Sequence, residues 1–185
     1  MAAKVKLPLF QDDALDAEPD RQVCEQKGPV CDGCSLAPRQ RLVGSGPATA
    51  DIVLVSESPT WNSANSKRHF SGKGGRAIRD AWDVLVAQDS RSPRPIGFAK
   101  LKRYDTYAIQ CVAEPADFGK PELDRCGTYA RAAIISKKPK VILTFGANAL
   151  KALGIKSGKF EDVRGRLVTA TLGGQTYLVL PTFGS

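Results

Sequence analysis

Several absences narrow what this chain can be. No apolar run approaches the ~20 residues that a membrane-spanning helix needs, and the opening stretch MAAKVKLPLF has no apolar leader core. Together these point to an intracellular, cytoplasmic protein without a membrane partner. No internal repeat is visible. Only 5 cysteines are present. An odd number without a leader fits a secreted disulfide framework poorly. There is 1 histidine, His69, and it reads as a surface or phosphate contact rather than a catalytic base. Negative charge is also scarce outside the first residues, for the chain of 185 residues carries a formal net charge of +8. Such a balance favours a polyanionic partner, DNA or RNA.

What is present has order. Asp12, Asp13, Asp16, Glu18 and Asp20 crowd residues 1–23, an acidic tail with too few apolar residues to build a core. Residues 24–185 read as one domain, and their charge is more basic than the total. Apolar runs then alternate with helical patterns. Strands are expected at 51–57, 106–112, 140–146 and 176–183, with RLVTATL (166–172) and Gly173–Gly174 as a hairpin lead into the last. Helices are expected at 74–88, 121–135 and 147–154, the first with Ile78, Ala81, Trp82 and Leu85 on its apolar face. Alternating strands and helices predict an α/β fold, a three-layer α/β/α sandwich around a mostly parallel four-stranded sheet.

Four of the cysteines fall into two pairs, Cys31-x2-Cys34 and Cys111-x14-Cys126. Four thiolates suit a [4Fe–4S] cluster or a tetrahedral zinc. Cys24 reads as a tail thiol rather than a fifth ligand.

In open α/β sheets ligands bind beyond the carboxyl ends of the strands, and three segments there carry chemistry. The loop 56–75 holds the carboxylate Glu57, the aromatic Phe70 and the cations Lys67, Arg68 and Lys73, with Arg76 just beyond. Lys73-Gly74-Gly75 opens a helix, where glycines let phosphate approach backbone N–H groups. YAIQCVAEP (107–115) carries Tyr107 and Cys111. DVRGRL places Arg164 and Arg166 around Gly165, a spacing able to grip a nucleic-acid backbone.

These residues together resemble the iron–sulfur uracil-DNA glycosylases, the type-4 and type-5 branches of their superfamily, over about residues 28–183. CDGCSLAPRQRLVGSGPATADIVLVSESP is similar to the family's opening cysteine pair, "G.GP..ADI" stretch and "GEAPG" loop. Eleven positions separate Pro59 from Phe70, the family's offset to its "PFVG" phenylalanine, and KPKVILTFGANALKALG and DVRGRL match later motifs. The resemblance implies a [4Fe–4S] cluster on Cys31, Cys34, Cys111 and Cys126, with zinc the second choice. It also implies Phe70 stacking on a flipped base, Tyr107 and Ser58 beside that base, and Glu57 positioning water or stabilising the sugar cation. Lys67, Arg68, Lys73, Arg76, Arg164 and Arg166 would meet DNA phosphates. The implied function is excision of uracil or a related base from DNA by a monomer, alone or within a larger replication or repair protein.

The chain also departs from that pattern. Ser56 and Thr60 replace glycines of the loop, Ser63 its second acidic residue, and Tyr107 the asparagine that reads uracil. The family's terminal "HPS" histidine would begin at Gly184, so that motif is truncated or replaced. A catalytically inactive DNA-binding module of the same fold is the alternative these departures raise.

Overall fold

The computed structural model describes residues 31–156 and 159–184. The expected acidic tail and Cys24 lie outside them. β1 (Ile52–Ser56) is buried at all five positions, as a strand covered on both faces must be. Among the described residues the sheet has five strands in the order β2-β1-β3-β5-β4. β1 pairs in parallel with β2 (Arg103–Tyr107) and β3 (Val141–Phe145), and β3 with β5 (Gln175–Thr182). β4 (Val168–Leu172) adds an antiparallel edge to β5. The hairpin lead is thus a fifth strand in its own right. Its turn, Gly173–Gly174, needs positive φ at both residues (56° and 79°), which suits a two-residue hairpin.

Alternate residues of β1 serve opposite layers. Val53 and Val55 join Ile142, Val179, Ile134 and Leu150 in the larger core. Ile52 and Leu54 face Phe70, Ile78 and Trp82. Each fully buried aliphatic side chain contributes roughly 1.5–3 kcal/mol.

The larger core is covered by α3 (Lys120–Lys137) and α4 (Ala147–Ala152). In α3, Glu122 accepts from the Gly119 N–H at 2.9 Å and Pro121 sits in the first turn, so the entry is capped. Its buried residues Leu123, Gly127, Ala130 and Ile134 recur at helical spacing. A Cβ on Gly127 would come within 3.0 Å of the Ala152 carbonyl, so glycine allows α3 and α4 to touch.

Two expectations need correction. The strand placed at 106–112 begins and ends earlier, because Arg103 and Asp105 disguise its start. After Tyr107 the chain leaves the ladder: Ala108 and Ile109 donate to Ser56 and Glu57 carbonyls, then Gln110 and Val112 pair with Leu42 and Gln40. The helix placed at 74–88 is α2 (Lys73–Arg91), rotated from the expected face. Gly75 and Val86 are buried and Ile78 and Trp82 half-buried, whereas Ala81 and Leu85 are exposed. The sheet offers α2 the charged pair Arg103–Asp105 (2.9 Å), and the guanidinium also lies over Trp82. Asp83 therefore turns inward with Trp82. Burial raises its carboxyl above the usual range, with Arg103 opposing the shift.

Candidate functional site

β2 and β3 lie on opposite sides of β1, so the sheet changes direction at the carboxyl ends of β1 and β3. Glu57 is the first residue beyond β1. Its Oε1 accepts the backbone N–H of Asn148, in the first turn of α4, at 2.9 Å. Gly146 ends β3 with φ of 93°, and a Cβ there would lie 2.5 Å from the Glu57 carboxyl carbon. Only glycine fits, on grounds of both space and backbone. The carboxylate is therefore oriented by an N–H and wedged by a glycine, with its other oxygen toward Gly184. Sequence reasoning found Glu57 but missed Gly146 and Asn148. The signal available was a glycine between strand and helix in TFGANA.

Beside it lies an aromatic cluster. Phe70 is only 3% exposed and Tyr107 2%. Their ring centroids are 6.0 Å apart, and Phe145 meets Phe70 edge-on at 6.1 Å. The Phe70 N–H donates to the Tyr107 hydroxyl at 3.3 Å, and Ser63 bonds the same oxygen. Burial pushes the Tyr107 hydroxyl up to about 12, so it stays protonated. Ser63 also contacts Thr60 and accepts from the Ser71 N–H, both at 3.1 Å. Ser58 donates to the Ala113 carbonyl at 2.7 Å.

His69 is a further correction. Rather than a surface contact, its ring stacks on Tyr107 at 5.1 Å and 14°. Nδ1 lies 3.1 Å from the Ser45 hydroxyl, while Nε2 is sealed without a hydrogen-bond partner. Burial pulls its pKa down to about 4, against the hydrogen bond to the Val43 backbone and with a smaller push from Arg103. At neutral pH it is uncharged.

The six cations form two groups. Lys67 and Arg68, at the end of α1 (Trp61–Ser66), and Lys73 and Arg76, at the start of α2, are all exposed. Gly72 begins α2 with neither a side-chain cap nor an acidic residue in the first turn. Arg164 and Arg166 occupy the turn between α5 (Phe160–Val163) and β4, where the Gly165 N–H bonds Pro181 near the carboxyl end of β5. Arg164 lies 3.8 Å over the Phe183 ring.

The four paired cysteines line one pocket, although 80 residues of sequence separate Cys31 from Cys111. None is in a disulfide. Glu122, Arg125, Cys126 and Tyr129 present one face of α3 to it, and Arg41 closes another side. Cys111 reaches the pocket because residues 108–112 swing out of the sheet to pair with 40–42. The Gln110 N–H donates to Cys126 Sγ at 3.2 Å, and the Tyr129 hydroxyl lies 3.8 Å from Cys31 Sγ. Arg41 bonds the Gln110 side chain and stacks over Tyr129 at 4.4 Å. Burial pushes the Cys126 thiol up to about 11. Among the described residues no group of three or more His, Cys, Asp or Glu side chains is arranged to hold a metal ion; the thiols share a pocket without closing on one point. An all-thiol donor set with an N–H aimed at one sulfur and arginines alongside nevertheless has the chemistry that an anionic iron–sulfur cluster requires.

Comparison with known proteins bears on this arrangement. Two curated relatives are both described as "Type-4 uracil-DNA glycosylase". The protein of Saccharolobus solfataricus is 24% identical over 162 residues, covering 83% of this chain and 69% of its own. That of Sulfurisphaera tokodaii is 24% identical over 147 residues, covering 76% of this chain and 61% of its own. The sequence model described as "Uracil DNA glycosylase superfamily" matches residues 43–183. That span runs from just before β1 through the Glu57 crevice to the end of β5, and this chain belongs to the uracil DNA glycosylase superfamily.

Proposed function

We propose that the protein binds DNA, turns one nucleotide out of the stack and hydrolyses the N-glycosidic bond of uracil or a related modified base. The observation that carries this reading is Glu57. Its carboxylate is held by Asn148 N–H at the point where the sheet changes direction. As the glycosidic bond breaks, its electron pair leaves with the base and the sugar becomes cationic. A fixed carboxylate stabilises that cation and orients the water whose oxygen bonds to the sugar carbon. The water's proton is released and the base anion takes up a proton. Lys67, Arg68, Lys73, Arg76, Arg164 and Arg166 neutralise phosphates around the crevice, and the uncapped start of α2 adds backbone N–H donors.

Cys31, Cys34, Cys111 and Cys126 would hold a [4Fe–4S] cluster, with zinc the lesser alternative. Bound there, the cluster would tie residues 31–41 to the exit of β2 and to α3. Support comes from the four thiols around one pocket, the Gln110 N–H aimed at the Cys126 sulfur and the Tyr129 hydroxyl beside that of Cys31.

A second reading, a DNA-binding module of the same fold that does not excise, is favoured by the closed cluster of Phe70, Tyr107 and Ser63. Anaerobically prepared protein incubated with oligonucleotides carrying uracil, hypoxanthine or hydroxymethyluracil separates the two. Abasic sites on any of them support excision. Intact strands under conditions where the DNA is bound favour the module.

A further inference from the structure

The candidate base site is complete without a base. Every polar group proposed for it is engaged within the protein: Ser58 on the Ala113 carbonyl, Tyr107 on Phe70 N–H and Ser63, and Ser63 on Thr60 and Ser71. The aromatic surface is used up as well. Phe70 keeps 3% exposure, with Tyr107, Phe145 and His69 around it. A base cannot stack on a ring whose faces are already covered.

We propose that Tyr107 fills the place beside Phe70 that a flipped base would take, making it the residue that determines whether a base enters. The inference rests on the reading of this crevice as a base-flipping site. Tyr107 is a plug with three holds. Its hydroxyl accepts the Phe70 N–H, bonds Ser63, and one ring face lies under His69. These holds also maintain a strained loop. Phe70 sits at φ of 57°, a left-handed conformation that a bulky residue adopts only when its surroundings impose it. Gly75 presses from the other side, where a Cβ would lie 2.2 Å from the Phe70 Cα. A base therefore enters when Tyr107 swings away from Phe70, or when the ring is removed. Ser58, Ser63 and Tyr107, already satisfied within the protein, also read the edge of a base poorly, because a bond to the base would replace one they have.

The test uses the full chain as wild type, Tyr107→Asn, Tyr107→Phe and Ser63→Ala, with two readouts. One is excision of uracil from duplex DNA. The other needs no excision: fluorescence of 2-aminopurine placed beside a non-hydrolysable 2′-fluoro-deoxyuridine, which rises as its neighbour leaves the stack. At saturating protein, Tyr107→Asn should raise the fluorescence change at least fivefold over wild type. Tyr107→Phe, which keeps the ring but gives up both hydroxyl holds, should raise it at least twofold and stay below Tyr107→Asn. If excision occurs, Tyr107→Asn should speed it at least tenfold. A fluorescence rise in Tyr107→Asn with no cutting by any variant upholds the plug and overturns the excision reading. Equal fluorescence in wild type and Tyr107→Asn overturns the plug, whether or not uracil is cut. If Tyr107→Asn does not fold, Ser63→Ala decides: it removes one hold and should at least double the wild-type signal, and no change there overturns the proposal.

Discussion

The cysteine pocket and the Glu57 crevice lie at the same end of the sheet and are joined by residues 107–112, yet they are built on opposite plans. In the pocket, four thiols face a shared space, the Gln110 N–H donates to one sulfur and the Tyr129 hydroxyl lies beside another. In the crevice, the Ser58 and Tyr107 hydroxyls bond within the protein, and one Glu57 oxygen accepts the Asn148 N–H. The first arrangement gathers thiols around one space, and the second has largely supplied its own partners. The two regions therefore place different demands on their residues and are tested separately.

The largest test of that contrast removes one thiol. Cys111 is buried and lies where the chain leaves β2. If the pocket holds a metal centre, Cys111→Ala leaves it under-ligated and the domain loses binding energy that is also folding energy. Melting should fall by about 10 °C, which corresponds to a loss of roughly 3–4 kcal/mol in a domain of this size. Iron and sulfide content should drop with it. Colourless wild-type protein with stoichiometric zinc would rule out iron–sulfur, and an unchanged melt would show the pocket to be merely a cluster of thiols.

Glu57→Gln is the corresponding test in the crevice. Glutamine keeps an oxygen for the Asn148 N–H but removes the charge. Excision should fall about 100-fold, or roughly 2.7 kcal/mol of transition-state stabilisation, while DNA affinity holds. If binding falls as far as excision, Glu57 shapes the complex rather than the reaction.

How much of this was legible in the sequence differs between the two regions. Ligand chemistry is local to residue type and spacing, so the four cysteines could be read together from a chain that separates them widely. The parallel core was equally legible, because IVLVS and VILTF are apolar in runs. What was hidden depends on neighbours. The charged pair Arg103–Asp105 concealed the start of β2, and α2 buries Gly75 and Val86 while leaving Ala81 and Leu85 exposed. The solitary His69 looked like a surface residue, since nothing in its own segment announces that Tyr107 covers it. Phe70 was legible as an aromatic at the crevice, but not as one whose faces are already occupied. The roles proposed for Glu57, Phe70 and the six cations still stand on resemblance and placement together.

His69 offers a smaller test, through pH. Its pKa is about 4 in the folded protein and 6.5 when unperturbed. Between those values the unfolded chain takes a proton that the folded one refuses. Stability therefore falls as pH drops from about 6.5 to 4, by on the order of 3 kcal/mol. Asp105 acts in the opposite sense: burial raises its carboxyl above 3.8 despite Arg103, so its cost is relieved as pH falls. Denaturation of His69→Gln should accordingly show a flatter profile from pH 6.5 to 4 than wild type. Parallel profiles would mean that the ring is open to solvent, and Tyr107 would lose one of its holds.

The smallest expected effect concerns the rim of the crevice. Lys67 and Arg68 are exposed at the end of α1, with Lys67 in a left-handed conformation (φ of 52°) that terminates the helix. If both meet phosphates, each releases counterions on binding and contributes roughly 0.9 to the slope of log affinity against log salt. Replacing the pair with alanine should reduce that slope by about 2 and weaken all sequences alike by several-fold at moderate salt, without altering base preference. Lys67→Gly with Arg68→Ala provides the control, because glycine tolerates the left-handed backbone at 67 and separates lost charge from strain. An unchanged slope in both variants would move the DNA path away from the 56–75 loop and toward the Arg164–Arg166 turn. Glu57 and Tyr107 would then need to be reached from the β5 side of the crevice.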